Sequence, residues 1–125
     1  MNKTVIKTKN APEAIGPYSQ AIRVGDMIYT SGQIPLVPGT KDLITEIKAA
    51  TKQSLSNIKG ILEEAGTSMD KIIKTTVFVK DLNDFAAVNE VYGTFFQGEP
   101  PARSCVEVAK LPLDAPVEIE VIAIV

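Results

Sequence analysis

Residues 117–125 form the most constraining stretch of the sequence and read Val-Glu-Ile-Glu-Val-Ile-Ala-Ile-Val. Their many β-branched residues predict a β-strand. Alternate side chains of a strand point to opposite faces of the sheet. One face would carry Val117, Ile119, Val121, Ala123 and Val125, and the other would carry Glu118, Glu120, Ile122 and Ile124. Because both faces are largely apolar, this strand needs a protein layer on each side.

The remaining elements follow from hydrophobic periodicity and turn residues. Further strands are predicted at residues 4–7, 21–24, 27–31, 72–80 and 103–108, with Gly25-Asp26 as a hairpin turn. Helices are predicted at 45–65 and 84–97, the first with Thr45 as its N-cap and Gly66 just after its end. The order βββαβαββ predicts an α+β fold in a single domain, 1–125, with one sheet and both helices on one face.

The second face of this sheet calls for a partner subunit. Two helices can cover only one face, which leaves the other side of the apolar last strand bare. A large bare apolar patch is rare on a monomeric protein. The sequence therefore predicts an oligomer of this chain, although this argument does not fix the number of copies.

The absence of histidine narrows the possible chemistry. The chain has no histidine and a single cysteine, Cys105. This excludes Ser-His-Asp and Cys-His catalysis and the usual zinc sites, and metal-ligand clusters and phosphate-binding loops are also missing from the sequence. One cysteine cannot form an intrachain disulfide, so a disulfide-built secreted scaffold is excluded. Catalysis would have to use carboxylates, Arg, Lys, Tyr, Ser, Cys or backbone groups.

Charge and hydropathy bear on partners and location. The net charge is −2 and the pI is about 5.1, without a Lys/Arg cluster, so we expect no nucleic-acid partner. Residues 1–10 contain no apolar signal-peptide core, and no apolar run approaches the roughly 18–20 residues that cross a bilayer. We therefore expect a cytoplasmic protein without a membrane partner.

Arg103 and Glu118 are the first candidates for a functional site. Arg103 follows Pro101-Ala102 and opens a strand, so rigid backbone could hold it as a bidentate clamp for a carboxylate; an ordinary surface ion pair is the alternative. Glu118 lies in the apolar last strand, where its pKa would be raised and it could exchange a proton with water. Glu120 nearby is equally consistent with a solvent-facing end of that strand. Spacing alone favours the surface ion pair for Arg103 and leaves both interpretations of Glu118 open.

Four further residues could line a pocket or simply serve the fold. Cys105 could be a nucleophile but has no histidine to activate it, so we expect its backbone to matter more than its thiol. Gly32 could let backbone approach a ligand, or serve only its turn. Tyr18 could close a pocket or remain a loop aromatic. Asn89 lies mid-helix and needs a polar partner, which could be backbone or substrate.

Four separate segments match, in order, the motifs of one protein family. They read Ala-Ile-Gly-Pro-Tyr-Ser-Gln-Ala at 14–21, Ser-Gly-Gln-Ile-Pro at 31–35, Phe-Ala-Ala-Val-Asn at 85–89, and Pro-Ala-Arg-Ser-Cys-Val-Glu-Val-Ala-Lys-Leu at 101–111 with Val-Glu-Ile at 117–119. The last segment is the most specific in residue types and spacing. On these motifs the chain resembles the Rid family, also called the YjgF family. It departs from the family at residues 37–47, a slightly shortened loop and helix start.

The resemblance implies an architecture and an activity. The fold would be chorismate-mutase-like, assembled as a homotrimer whose three sheets pack into a central barrel-like core. Active sites would lie in the clefts between subunits and would need neither a metal nor an organic cofactor. The implied reaction is hydrolysis of 2-iminobutanoate and 2-iminopropanoate, reactive products of pyridoxal-phosphate dehydratases, to 2-oxo acids and ammonia.

The resemblance also implies roles for individual residues. Arg103 would hold the substrate carboxylate. Glu118 would deprotonate the attacking water and help protonate the leaving ammonia. The backbone of Cys105 and of Gly32 would position the water and the substrate. Tyr18, from a neighbouring subunit, would border the pocket. Ser31 and Asn89 would line or support it.

Two other functions stay open at this point. One is a non-enzymatic trimer that binds small carboxylates or regulatory partners; Arg103 counts against it, because inactive subgroups of the family lack this arginine. The other is the ribonuclease or translation-inhibitor role attached to some relatives. The acidic pI and the lack of a basic patch and of histidine disfavour that role.

Overall fold

The computed structural model describes residues 2–125, which form one six-stranded sheet with two α-helices packed against it. The strands are β1 (Lys3–Ile6), β2 (Ala21–Val24), β3 (Met27–Thr30), β4 (Ile72–Val79), β5 (Ala102–Glu107) and β6 (Val117–Ile124). The helices are α1 (Ile47–Glu64), between β3 and β4, and α2 (Phe85–Gly93), between β4 and β5. The predicted order βββαβαββ is confirmed.

The apolar strand β6 lies inside the sheet. The spatial order is β1-β2-β3-β6-β4-β5, and β6 pairs antiparallel with both β3 and β4. The one parallel pair among the described residues is β4 with β5, joined by α2 as a crossover. The central position of β6 satisfies its backbone on both edges.

The two faces of the sheet have different environments within one chain. On the first face, Val117, Ile119, Val121 and Ala123 of β6 are buried in a core built with α1 and α2. The predicted placement of both helices on one face is confirmed. On the second face, a row of register partners crosses four strands: Val5, Ile22, Tyr29 and Ile122. Tyr29 is 45% exposed and Val5 57% exposed, while Ile22 and Ile122 are partly buried, so a single chain leaves about half of this apolar row in contact with water.

Two buried amides hold the loops that flank the sheet. The Gln20 side chain accepts from the Thr8 N–H at 2.7 Å and donates to the Pro12 carbonyl at 2.8 Å, which fixes the segment before β2. The Asn57 amide donates to the carbonyls of Ile34 and Leu36 at 3.2 and 2.9 Å. The loop after β3 is thereby tied to α1. Buried amides of this kind give irregular backbone the partners it would otherwise lack.

The helix ends differ from prediction at two points. Thr45 is not the N-cap of α1; the cap is Glu46, whose carboxylate accepts from the Ala49 N–H at 2.7 Å. The helix α2 ends at Gly93 and not at residue 97, because the Thr94 hydroxyl and N–H both bond to the Val91 carbonyl and tighten the last turn. The prediction for Gly66 is confirmed, with φ of +83°. No helix within residues 2–125 is long and apolar enough to cross a membrane.

Two glycines in the helices should respond oppositely to alanine. A Cβ on Gly60, inside α1, would lie 3.0 Å from the carbonyl carbon of Asn10 and closer still to its oxygen, whereas a Cβ on Gly93 would meet nothing within 4 Å. We expect Gly60→Ala to lower the free energy of unfolding by about 1–3 kcal/mol through overpacking. Gly93→Ala should leave it unchanged or raise it by up to about 1 kcal/mol through helix propensity. Urea unfolding measures both, and a stabilised Gly60→Ala protein would contradict the close approach of the loop to α1.

Candidate active site

The side chain of Glu118 rests against the backbone of Gly32. Gln33 pairs with Ile119, its N–H donating at 2.8 Å and its carbonyl accepting at 3.1 Å, which places Gly32 beside Glu118. A Cβ on Gly32 would lie 2.8 Å from the carboxyl carbon of Glu118 and 3.0 Å from its Cγ. Any side chain at this position would occupy the space of the carboxylate. The need for glycine here is therefore steric, and the turn alone does not explain it.

The surroundings of Glu118 favour its protonated form. Partial burial raises the pKa of its carboxyl, and the nearby negative charge of Glu120 raises it further. Within residues 2–125 its carboxylate accepts no hydrogen bond that would offset these effects. A carboxylate in this state can take a proton from water and give it back near neutral pH more readily than an ordinary surface glutamate.

Glu118 lies in a cleft of about 520 Å³, here called the glutamate cleft. Three of the predicted site residues, Tyr18, Ser31 and Gly32, line it together with Glu118 of the same chain. The Ser31 hydroxyl donates to the Ser19 carbonyl at 2.6 Å, so it holds the loop that carries Tyr18. The Tyr18 ring is 51% exposed and borders the opening.

One wall of the glutamate cleft was not predicted as part of a site. It contains Ile15, 85% exposed, and Leu113, 64% exposed, next to Pro112. Leu113 and Asp114 both have φ of +56°, a left-handed conformation that non-glycine residues rarely adopt. The signal in the sequence was a pair of leucines around a proline in a loop, where apolar side chains have no helix or strand to bury them.

Arg103 lies in a second group of side chains, here called the arginine site. Its Nη1 donates to the Asn89 side-chain oxygen at 2.6 Å, so Asn89 finds its polar partner in this arginine. Its guanidinium carbon is 4.8 Å from the Tyr92 ring centroid and 5.3 Å from that of Phe85, both within cation–π distance. Both aromatic residues lie on α2, and neither was among the residues predicted for the site.

Cys105 lies two residues after Arg103 on β5, on the same face of the sheet, and belongs to the arginine site. Burial raises the pKa of its thiol, an effect that the nearby Arg103 charge partly offsets. A thiol in this state is mostly protonated and is a weak nucleophile. In the part of the chain that the structure describes, no three His, Cys, Asp or Glu side chains are grouped to bind a metal ion. The Cys105 side chain packs against the core as a small hydrophobe.

The glutamate cleft and the arginine site lie on opposite faces of the sheet. Arg103 is the register partner of Thr75, which is fully buried under the helices. Glu118 is the register partner of Phe78, three residues further along β4 and therefore on the other face. The side chains of Arg103 and Glu118 cannot contact one small ligand within a single chain. A site that uses both needs two copies of the protein.

Comparison with known proteins gives similarity over nearly the whole chain. The family model described as endoribonuclease L-PSP matches residues 8–125. A 2-iminobutanoate/2-iminopropanoate deaminase from Escherichia coli is 56% identical, over 99% of this chain and 98% of the relative.

Solved structures agree with the fold in detail. A Yersinia pestis protein, described as of unknown function and of the conserved Rid family, superposes with a TM-score of 0.97 at 54% identity, covering 99% of this chain and all of that one. E. coli TdcF, solved with bound serine, has a TM-score of 0.94 at 49% identity, with 98% of each chain covered. The predicted fold class is thereby confirmed.

Alanine in place of Gly32 should change the titration of Glu118. The new Cβ would displace the carboxylate from its position against the backbone of residue 32 and into water. The pKa of Glu118 should therefore fall from its raised value toward the ordinary 4.5. The carboxyl ¹³C chemical shift of Glu118, followed against pH, measures this. Gly98→Ala is the matched control, because a Cβ there meets nothing within 4 Å. An unchanged titration in the Gly32→Ala protein would contradict the steric account.

Proposed function

The chain belongs to the endoribonuclease L-PSP family, which is the Rid or YjgF family, and we propose that it hydrolyses 2-iminobutanoate and 2-iminopropanoate to 2-oxo acids and ammonia. The observation that carries the proposal is the 56% identity, over nearly the whole chain, to the E. coli protein named for that activity. The glutamate cleft and the arginine site supply groups suited to this chemistry.

The proposed assembly is a homotrimer with sites between subunits. The apolar row Val5, Ile22, Tyr29 and Ile122 gives each sheet a face to pack against its neighbours. In such an assembly the Glu118 face of one subunit meets the rim of the next, where Arg103 lies on the edge strand β5. Tyr18, Ser31, Gly32 and Glu118 would come from one subunit, and Arg103, Asn89 and Cys105 from its neighbour.

Arg103 would bind the carboxylate of the substrate. Its bond to Asn89 occupies one side of Nη1, and the N–H groups left over can pair with two carboxylate oxygens. The backbone of Cys105 from the same subunit would help position the substrate, as would the backbone of Gly32 from the facing subunit. Tyr18 would cover the opening. This arrangement fixes the imine carbon near Glu118.

Glu118 would act first as a base and then as an acid. As an attacking water forms its bond to the carbon of the protonated imine, the Glu118 carboxylate takes one water proton and the C=N π electrons move to nitrogen, which becomes a neutral amino group. The carbinolamine so formed receives the proton held by Glu118 on its amino nitrogen. The C–N bond then breaks and its electron pair leaves with ammonia, while the hydroxyl proton passes to the Glu118 carboxylate and the carbonyl forms. The raised pKa of Glu118 suits both directions of transfer.

The rate enhancement that this reaction requires of the site is modest. Imines hydrolyse in water unaided, and a positioned acid–base group contributes roughly 10²–10⁴-fold. Such an enzyme can work without histidine, and we propose that it needs neither a metal nor an organic cofactor. We further propose that it acts in the cytoplasm on small molecules, without a nucleic-acid or membrane partner.

The family description names a different activity, an endoribonuclease. A nucleic-acid substrate would call for a cluster of basic residues, whereas this chain has 13 basic and 15 acidic residues and a net charge of −2. It also lacks the histidine that would serve as a general acid or base at neutral pH. These properties favour a small anionic substrate at a single arginine over an RNA chain.

Removal of the Arg103 side chain should abolish the activity without unfolding the protein. The imine is generated by a threonine dehydratase, and ammonia release is measured above the unaided rate. We expect Arg103→Ala to lower kcat/KM about 100-fold or more, as for a lost buried charge pair. Arg23→Ala is the matched control, since Arg23 is a half-buried residue of β2 whose Nε donates to the nearby Gly25 carbonyl, and it lines neither the glutamate cleft nor the arginine site.

Each contrary result identifies another function. If the wild-type protein does not accelerate ammonia release, the proposed activity is wrong. Binding of 2-oxobutanoate without acceleration would indicate a non-enzymatic carboxylate binder. RNA cleavage that survives purification and disappears in Glu118→Ala would indicate the ribonuclease.

Mixed assemblies should recover activity if the site is shared between subunits. Arg103→Ala and Glu118→Ala chains, each inactive alone, are co-expressed with different tags and mixed oligomers are isolated. In a mixed trimer of either composition, about a third of the interfaces, one of the three, would pair an intact Arg103 with an intact Glu118 from a different chain. Recovery of roughly that fraction of wild-type kcat is expected. A complete lack of recovery in stable mixed oligomers would place both residues in one chain's site.

A further inference from the structure

A buried pair of hydroxyl groups lies directly beneath the arginine site. The Tyr92 and Thr75 hydroxyl oxygens are 2.7 Å apart, Thr75 is fully buried, and Tyr92 is 5% exposed. Thr75 lies on β4 and Tyr92 near the end of α2, so the bond joins a strand to a helix. It fixes where the ring of Tyr92 lies against the sheet.

The anchored ring is placed under the guanidinium of Arg103. Thr75 and Arg103 are register partners on β4 and β5, so their side chains stand next to each other on the same face. With its hydroxyl on Thr75, the Tyr92 ring has its centroid 4.8 Å from the guanidinium carbon. Phe85 approaches the same cation at 5.3 Å, from the start of α2.

These contacts restrict the plane in which Arg103 can offer hydrogen bonds. Among the described residues the guanidinium donates to Asn89 alone, through Nη1. A cation–π contact holds the guanidinium over the faces of the two rings, and its N–H groups other than the one bonded to Asn89 donate to none of the described residues. Burial raises the pKa of Tyr92, so the ring stays neutral and keeps its negative face toward the cation. A planar group with two acceptor oxygens matches the remaining N–H groups of the guanidinium.

We propose that Tyr92, anchored by the Thr75 hydroxyl, is a positioning residue that sets the plane of Arg103 and thereby the preference of the site for a substrate carboxylate. This inference rests on the proposed function, in which Arg103 binds that carboxylate. Tyr92 itself need not touch the substrate. Its effect on binding passes through the guanidinium.

A role in packing alone would give a different pattern from a role in positioning. Loss of packing lowers thermal stability and affects all ligands of the site to a similar degree. Loss of the guanidinium plane weakens ligands with a carboxylate and spares a ligand that replaces it with a neutral amide. The two roles can therefore be separated by comparing 2-oxobutanoate with 2-oxobutanamide as inhibitors.

The experiment uses full-length Tyr92→Leu, Tyr92→Phe and Thr75→Val proteins. We expect Tyr92→Leu to raise KM for the imino acid and Ki for 2-oxobutanoate about tenfold, with Ki for the amide and kcat nearly unchanged. Tyr92→Phe and Thr75→Val keep a ring at position 92 and should each raise the same two constants roughly two- to threefold. The double variant Tyr92→Phe with Thr75→Val should raise KM and Ki no further than the single variant with the larger effect. Both changes remove the same hydrogen bond.

Phe95→Leu is the matched control. Phe95 is a partly buried aromatic that packs against the core just after α2, whereas the guanidinium of Arg103 lies over the rings of Phe85 and Tyr92. This variant should lower the melting temperature and leave KM and both Ki values unchanged. Melting temperature and oligomer size are recorded for every variant.

The outcomes distinguish the inference from the function on which it rests. If Tyr92→Leu and Tyr92→Phe weaken the amide and the carboxylate equally, or change only the melting temperature, Tyr92 is a packing residue and the inference is wrong. If Arg103→Ala loses the preference for the carboxylate while both Tyr92 variants keep it, the inference fails and the proposed function stands. If the wild-type protein neither hydrolyses the imine nor binds 2-oxobutanoate, the proposed function itself fails.

Discussion

The burial of β6 on one face and its exposure on the other is the constraint on which the rest of the molecule depends. Val117, Ile119 and Val121 are covered by the helices, which gives the chain its core. The alternation of the strand then forces Glu118 onto the opposite face, where Gly32 and the loop around Tyr18 receive it. A one-residue slip of register would bury the carboxylate in the core and expose the valines. The position of the candidate base is thus fixed by the same pattern that folds the protein.

The same sheet separates the two groups that the proposed reaction needs. Arg103 is framed by Asn89, Phe85 and Tyr92 on the helix side, and Glu118 sits in its cleft on the other side. Within one chain their charges do not neutralise each other, so burial can raise the pKa of the Glu118 carboxyl. Activity that requires both groups would then depend on assembly, for which we propose the apolar row on the open face as the contact surface.

Most of the fold could be predicted from the sequence because strong periodic patterns specify elements. All six strands and both helices were predicted in the right order, with small differences at their ends. The errors fell at helix ends, where side-chain hydrogen bonds to the backbone accompany the first and last turns. Glu46 caps α1 in place of Thr45 because its longer side chain reaches the Ala49 N–H, and Thr94 closes the last turn of α2 early. Which side chain bonds to the backbone at a helix end depends on local geometry that residue preferences do not encode.

The sequence by itself determined the elements, the two-faced central strand and the classes of chemistry excluded by the lack of histidine. Tertiary structure alone decided which of the candidates share a surface: Gly32 under the Glu118 carboxylate, and Asn89 beside Arg103. It also revealed residues that no motif marked, such as Leu113 in the cleft wall and the Tyr92–Thr75 pair under the cation. The physical reason is that a periodic pattern fixes the face on which a side chain lies, whereas contacts between residues distant in the chain depend on strand register and helix placement.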